Sequence, residues 1–112
     1  MNQQITGSHF YDENGNPAGG TTTGTGISIS WQNGPLAVDG VRKEPNGAFV
    51  DGVISAAIDR LKFYQGELPD TTAKFKCREN ALAITKLEEA LHWLNHRTAE
   101  REARGVEGTH AV

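Results

Sequence analysis

The stretch RENALAITKLEEALHWLNHRTAEREARG, residues 78–105, decides how the chain is read. Ile84, Leu87, Leu91 and Leu94 recur at steps of three and four, which places them along one face of a helix. The same two lines run through Asn80 at one end and through Thr98 and Arg101 at the other. A packing seam that ends in an amide and a guanidinium carries hydrogen-bonding groups where burial alone would favour apolar ones.

Upstream, Asn46 follows Pro45 as a candidate N-cap. Phe49, Val50, Val53, Ile54, Ala57, Ile58, Leu61 and Tyr64 then recur at helical spacing up to Gly66, an amphipathic helix of about five turns. The connection GELPDTTAKFK is polar and holds Pro69, and a second helix is predicted from Glu79 to Ala103, stopped at Gly105. Two such helices joined by a loop of about ten residues fold back as an antiparallel hairpin.

The glycine-rich N-terminal part reads as β-structure with turns. ISISW, residues 27–31, alternates Ile27 and Ile29 with Ser28 and Ser30, and Asn33-Gly34 follows as a turn signal. Pro35 limits any partner strand to an edge or delays its start. ENGNP, residues 13–17, is a second turn between ITGSHFY and the tract GGTTTGTG, which reads as a loop or an extended arm. The terminal GVEGTHAV is expected to be extended or frayed. The expected fold class is therefore α+β in one domain, residues 1–112: a Gly-rich antiparallel β segment over 1–45, a helical hairpin over 46–105 and a C-terminal tail over 106–112.

A chain of 112 residues buries a modest fraction of its surface and gains much from association, so self-assembly is expected. The net charge of −3 is uneven: residues 1–73 carry 4 basic and 8 acidic groups, whereas residues 74–104 carry 7 basic and 5 acidic. That balance suits a small anion better than duplex DNA, which needs a broad basic face. A single cysteine, Cys77, excludes an internal disulfide and fits a reducing compartment. MNQQITGSHF has neither the basic start nor the apolar core of a signal peptide, and no apolar run approaches a membrane span, so a soluble cytoplasmic protein is expected.

Six features compete as sites. His92 and His96 sit four apart on the second helix, but HWLNH lacks the glutamate of HExxH and no third ligand is evident, so a solvated or packing role is preferred to a metal. Cys77, between Lys76 and Arg78, has no partner His or Asn in a recognisable arrangement. GTGISIS has a Gly-x-Gly but no following helix, so neither a dinucleotide fingerprint nor a P-loop is supported and a flexible strand entry is preferred. Arg97 and Arg101, one turn apart, suit two guanidinium groups converging on a phosphate or diphosphate; as cations near a helix C-terminus beside Glu100 and Glu102 they also fit a plain surface role. Phe63 and Tyr64 offer a ring for base stacking, with core packing of Tyr64 and cover of a hairpin end by Phe63 as the alternatives. Asn80 lies 21 residues from Arg101, roughly 30 Å along one helix, so only a second copy packed antiparallel brings the two ends together.

FVDGVISAAIDRLKFYQ followed by FKCRENALAITKLEEALHWLNHRTAEREARGVEGTH resembles the helical-hairpin family of phage cyclic-nucleotide sponges, and within it the anti-Thoeris proteins more than the anti-CBASS ones. The resemblance covers about residues 46–110, and ISISWQNGP with GAFV is similar to the anti-Thoeris branch as well. It implies a homo-oligomer, commonly a hexamer assembled from dimers, that acts in the cytoplasm of the infected host. Its ligands there are cyclic ADP-ribose isomers such as glycocyclic ADP-ribose, and in some members cyclic di- or trinucleotides in a separate site. By position, the ring near the end of the first helix falls on Phe63, with Tyr64 as the alternative, and the amide after Arg-Glu falls on Asn80; both belong to the adenine pocket. The phosphate contacts fall on Arg97 and Arg101. No catalytic residue, cofactor, metal, DNA or membrane partner is implied. The alternatives are a non-catalytic helical interaction protein of a phage and a hydrolase of the nucleotide signal, for which no general base is evident.

Overall fold

The computed structural model describes residues 4–110. They form an antiparallel β part followed by two helices, the α+β class expected. By contacts the chain divides into two compact units, residues 1–49 with 101–112, and residues 50–100.

The first unit holds β1 (Thr6–Tyr11), β2 (Pro17–Gly24) and β3 (Ile27–Ser30) as a three-stranded antiparallel sheet in the order β1-β2-β3. Of the tract GGTTTGTG, residues 19–24 are thus neither a loop nor a free arm but part of the central strand, and residues 25 and 26 form the turn to β3; Thr21–Thr23 supply β-branched residues that pair with β1 on one side and β3 on the other. Gly20 permits the pairing, because a Cβ there would lie 2.5 Å from the Ser8 carbonyl oxygen. The turn at 13–16 is closed by Asp12, whose carboxylate accepts the N–H groups of Asn14 and Asn16 at 2.8 and 3.0 Å. The backbone N–H of Asn16 holds that carboxyl below its usual range.

After β3 the chain turns at Gly34 (φ 83°) and makes a short hairpin of β4 (Ala37–Val38) and β5 (Val41–Arg42) through Asp39 and Gly40, both at positive φ. Residues 46–48 then return beside Trp31: Ala48 N–H donates to Ser30 O at 2.8 Å, and Gln32 N–H to Ala48 O at 3.0 Å. Asn46 is consequently not a helix cap. Its side chain accepts from Asn33 N–H at 2.8 Å and donates to Asn33 O at 2.9 Å, locking the Asn33-Gly34 turn. The terminal tail also departs from expectation over 106–110, since it is tied down rather than frayed. Ala37 N–H donates to Gly108 O at 2.9 Å, and Arg42 pairs with both carboxylate oxygens of Glu107 at 2.6 and 3.3 Å. Residues 111 and 112 lie outside the described residues.

The helices are α1 (Val50–Tyr64) and α2 (Arg78–Ala103). Both end in the same way. Glu67 N–H reaches back to Lys62 O and Gly66 N–H to Phe63 O; Val106 N–H reaches Arg101 O and Gly105 N–H reaches Glu102 O. With Gly66 and Gly105 at φ 73° and 72°, each is a Schellman cap. Among the described residues the buried apolar side chains are Ile58 on α1 and Ile84 on α2, while Leu87, Leu91 and Leu94 are half-buried. No helix among them is long and apolar enough to cross a membrane.

Candidate ligand-binding site

The last turn of α1 and the first turn of α2 are held at a common loop by one buried side chain. Gln65, 6% exposed, accepts from Cys77 N–H at 2.9 Å and donates to Cys77 O at 3.2 Å, a two-bond clamp across the connection. Gly66 lets the loop close against it, because a Cβ there would lie 2.9 Å from the backbone of Ala73. The clamp joins the helix end that carries Phe63 and Tyr64 to the helix start that carries Asn80. These three predicted residues therefore belong to one end of the helical unit.

At the α1 end the Phe63 and Tyr64 rings lie 5.7 Å apart at 55°. Phe63 is 41% exposed, enough ring surface for a planar base, and Tyr64 is half-buried. The Arg60 guanidinium lies 4.6 Å from the centre of the Phe63 ring and 5.0 Å from that of Tyr64, and its Nε donates to the Tyr64 hydroxyl at 3.2 Å. At the α2 start, Asn80 donates its side-chain amide to Phe75 O at 3.3 Å, and its backbone N–H to Cys77 Sγ at 3.4 Å. Among the described residues the Asn80 carboxamide oxygen accepts no hydrogen bond, and its amide nitrogen keeps a second hydrogen.

Arg97 and Arg101 lie on the same helix but in different settings. Arg97 is exposed; Arg101 is 6% exposed, and its Nη2 donates to Val106 O and Thr109 O, both at 2.9 Å. Arg101 thus cross-links the C-terminal turn to the last turn of α2. From Asn80 to Arg97 the helix rises about 25 Å, so within one chain Arg97 does not share a small ligand with the Phe63 end. His92 and His96 are exposed and flank Trp93, with ring centres 5.8 and 6.0 Å from it, forming an aromatic cluster. Cys77 is exposed and its sulfur accepts the Asn80 N–H.

Sequence reasoning passed over Gln65 and Arg60. Gln65 precedes a glycine and carries no periodic signal, so its burial follows only from the folded loop. Arg60 was legible in principle, since residues three and four apart on a helix are neighbours and Phe63 and Tyr64 stand at those steps.

Residues 25–99 match the family described as "Acb2/Tad1, hairpin domain". Over 83 residues, 74% of its length, the chain is 51% identical to "Thoeris anti-defense 1" of Bacillus phage SBSphiJ7. The aligned part is 51% of that relative, so the chain spans about half the length of the curated protein it matches. With the two-helix arrangement, the capped ends and the match over 25–99 in agreement, the chain belongs to the Acb2/Tad1 hairpin-domain family.

Proposed function

We propose that the protein is a phage sponge that captures cyclic ADP-ribose isomers, such as glycocyclic ADP-ribose, and so blocks Thoeris signalling by removing the messenger intact. The observation that carries this reading is the clamped helix end: exposed Phe63 beside Tyr64, joined through Gln65 and Cys77 to Asn80. A ring supplies stacking that tolerates any purine, and a carboxamide reads the edge of a base or ribose. Membership of the hairpin family, and identity to a Thoeris anti-defence protein, support the same class of ligand. Sequestration requires tight binding alone, and the groups at this end are donors, an acceptor and rings, without a base positioned for water.

A second contact surface follows from Arg97. It lies too far along α2 to share a small ligand with Asn80 in one chain, so its anion would be a separate one. Cyclic di- or trinucleotides, the signals of CBASS, fit that second surface by charge. Titration calorimetry with glycocyclic ADP-ribose tests the main reading. Saturable binding that Phe63→Ala or Asn80→Ala weakens, by about 1 to 3 kcal/mol for the ring, supports it. Absence of binding to every cyclic ADP-ribose isomer removes it.

A further inference from the structure

We propose that Arg60 is a ligand contact at the Phe63 end and gives that site its preference for phosphate-bearing nucleotides, an inference that rests on Phe63 and Tyr64 being the stacking platform. Three observations carry it. The guanidinium of this exposed residue lies against two aromatic rings, 4.6 and 5.0 Å from their centres. One of its five donors is engaged, Nε with the Tyr64 hydroxyl at 3.2 Å, which restrains the fork while neither terminal nitrogen hydrogen-bonds a partner among the described residues. Finally, no carboxylate among the described residues pairs with it: the two ring contacts and the Tyr64 hydrogen bond are its interactions there.

A cation held in place by rings and left without a counter-charge is organised in advance for an anion. The stacked rings restrict its rotamers, so less side-chain freedom is lost when a phosphate arrives. In a nucleotide the phosphate lies a few ångströms from the base, the scale of the 4.6 Å that separates the guanidinium from the Phe63 ring. One cluster on one helix turn therefore offers a surface for the base and a fork for the phosphate. A role limited to helix stability would leave the ring pair intact but give no reason for charge to affect binding.

The test is calorimetric titration of glycocyclic ADP-ribose at several salt concentrations into the unmodified protein, Arg60→Gln, Arg60→Lys and Arg60→Ala, with helix content checked by circular dichroism. Arg60 is exposed and on a helix, so Ala keeps the fold should Gln disturb it. The expected result is a loss of about tenfold in affinity for Gln and Ala at low salt, a shallower dependence of affinity on salt, and partial retention of both by Lys. Unchanged affinity in Gln and Ala overturns the inference while leaving the sponge reading in place. Weakened binding with an unchanged salt dependence also overturns it, since that outcome assigns Arg60 to holding the rings. If the unmodified protein captures no cyclic ADP-ribose isomer, the sponge reading fails first and the inference falls with it.

Discussion

Two arginines one turn apart look equivalent in a sequence, and the structure separates them. Arg101 is buried and supplies donors to Val106 O and Thr109 O, whereas Arg97 is exposed. Replacing Arg101 with Ala removes one donor from each of those carbonyls, of which Val106 O keeps the Thr109 N–H, and is predicted to destabilise the fold by about 1 to 3 kcal/mol in urea denaturation. Arg97→Ala is predicted to change stability by less than about 0.5 kcal/mol and to weaken capture of a phosphate-bearing cyclic nucleotide by about 1.5 to 3 kcal/mol. Equal stability losses for the two would show that the C-terminal turn does not depend on Arg101. The seam itself was legible, because apolar spacing fixes a helix face whatever surrounds it. What spacing could not reveal was that residues 106–109 turn back onto Arg101, a contact made by main-chain carbonyls that leave no mark in side-chain pattern. Gln65 was hidden for the same reason, since its partners are the N–H and C=O of Cys77.

At the scale of elements, the two helix stops use the same cap but differ in surroundings. Gly66 has φ 73° and a Cβ there would meet Ala73 at 2.9 Å; Gly105 has φ 72° with open space around it. Gly105→Ala is predicted to cost about 1 kcal/mol, the left-handed penalty alone. Gly66→Ala adds a backbone clash and is predicted to cost clearly more by thermal denaturation. The reverse order would mean that the loop yields at Ala73. The β part was read less fully, because Val38-Asp39-Gly40-Val41 carries a hairpin signal but its strands are two residues long, too short for any alternation. That hairpin anchors the C-terminal turn through Arg42 and Glu107. The Arg42 guanidinium holds the Glu107 carboxyl below the ordinary glutamate value of 4.5. A depressed folded value means the pair stabilises the turn above 4.5 and releases it as pH falls through the lower folded value. Amide exchange at Ala37, which donates to Gly108 O, should therefore quicken in acid below pH 4.5 beyond its intrinsic change, and Glu107→Gln should abolish that extra step. Unaltered protection of Ala37 in acid would detach the turn from the ion pair.

For the whole molecule, burial in one chain is meagre. Ile58 and Ile84 are the buried apolar side chains among the described residues, while Leu82, Phe75 and Trp93 remain exposed, Trp93 at 67%. Surfaces of this kind are covered by association, and we propose a symmetric oligomer, a hexamer built from dimers, with α2 at an interface. Light scattering at micromolar concentration should give a mass near six chains; a monomer would remove the argument that subunits share pockets. The central claim, capture without chemistry, is tested most directly by the fate of the ligand. Glycocyclic ADP-ribose is mixed with excess protein, the filtrate is assayed on a Thoeris effector, and the protein is then denatured by heat and the released material chromatographed. The account predicts an inactive filtrate, ligand recovered intact, and capacity that stops at one ligand per site. Linear or truncated nucleotide in the released material, or turnover beyond the number of sites, would contradict it.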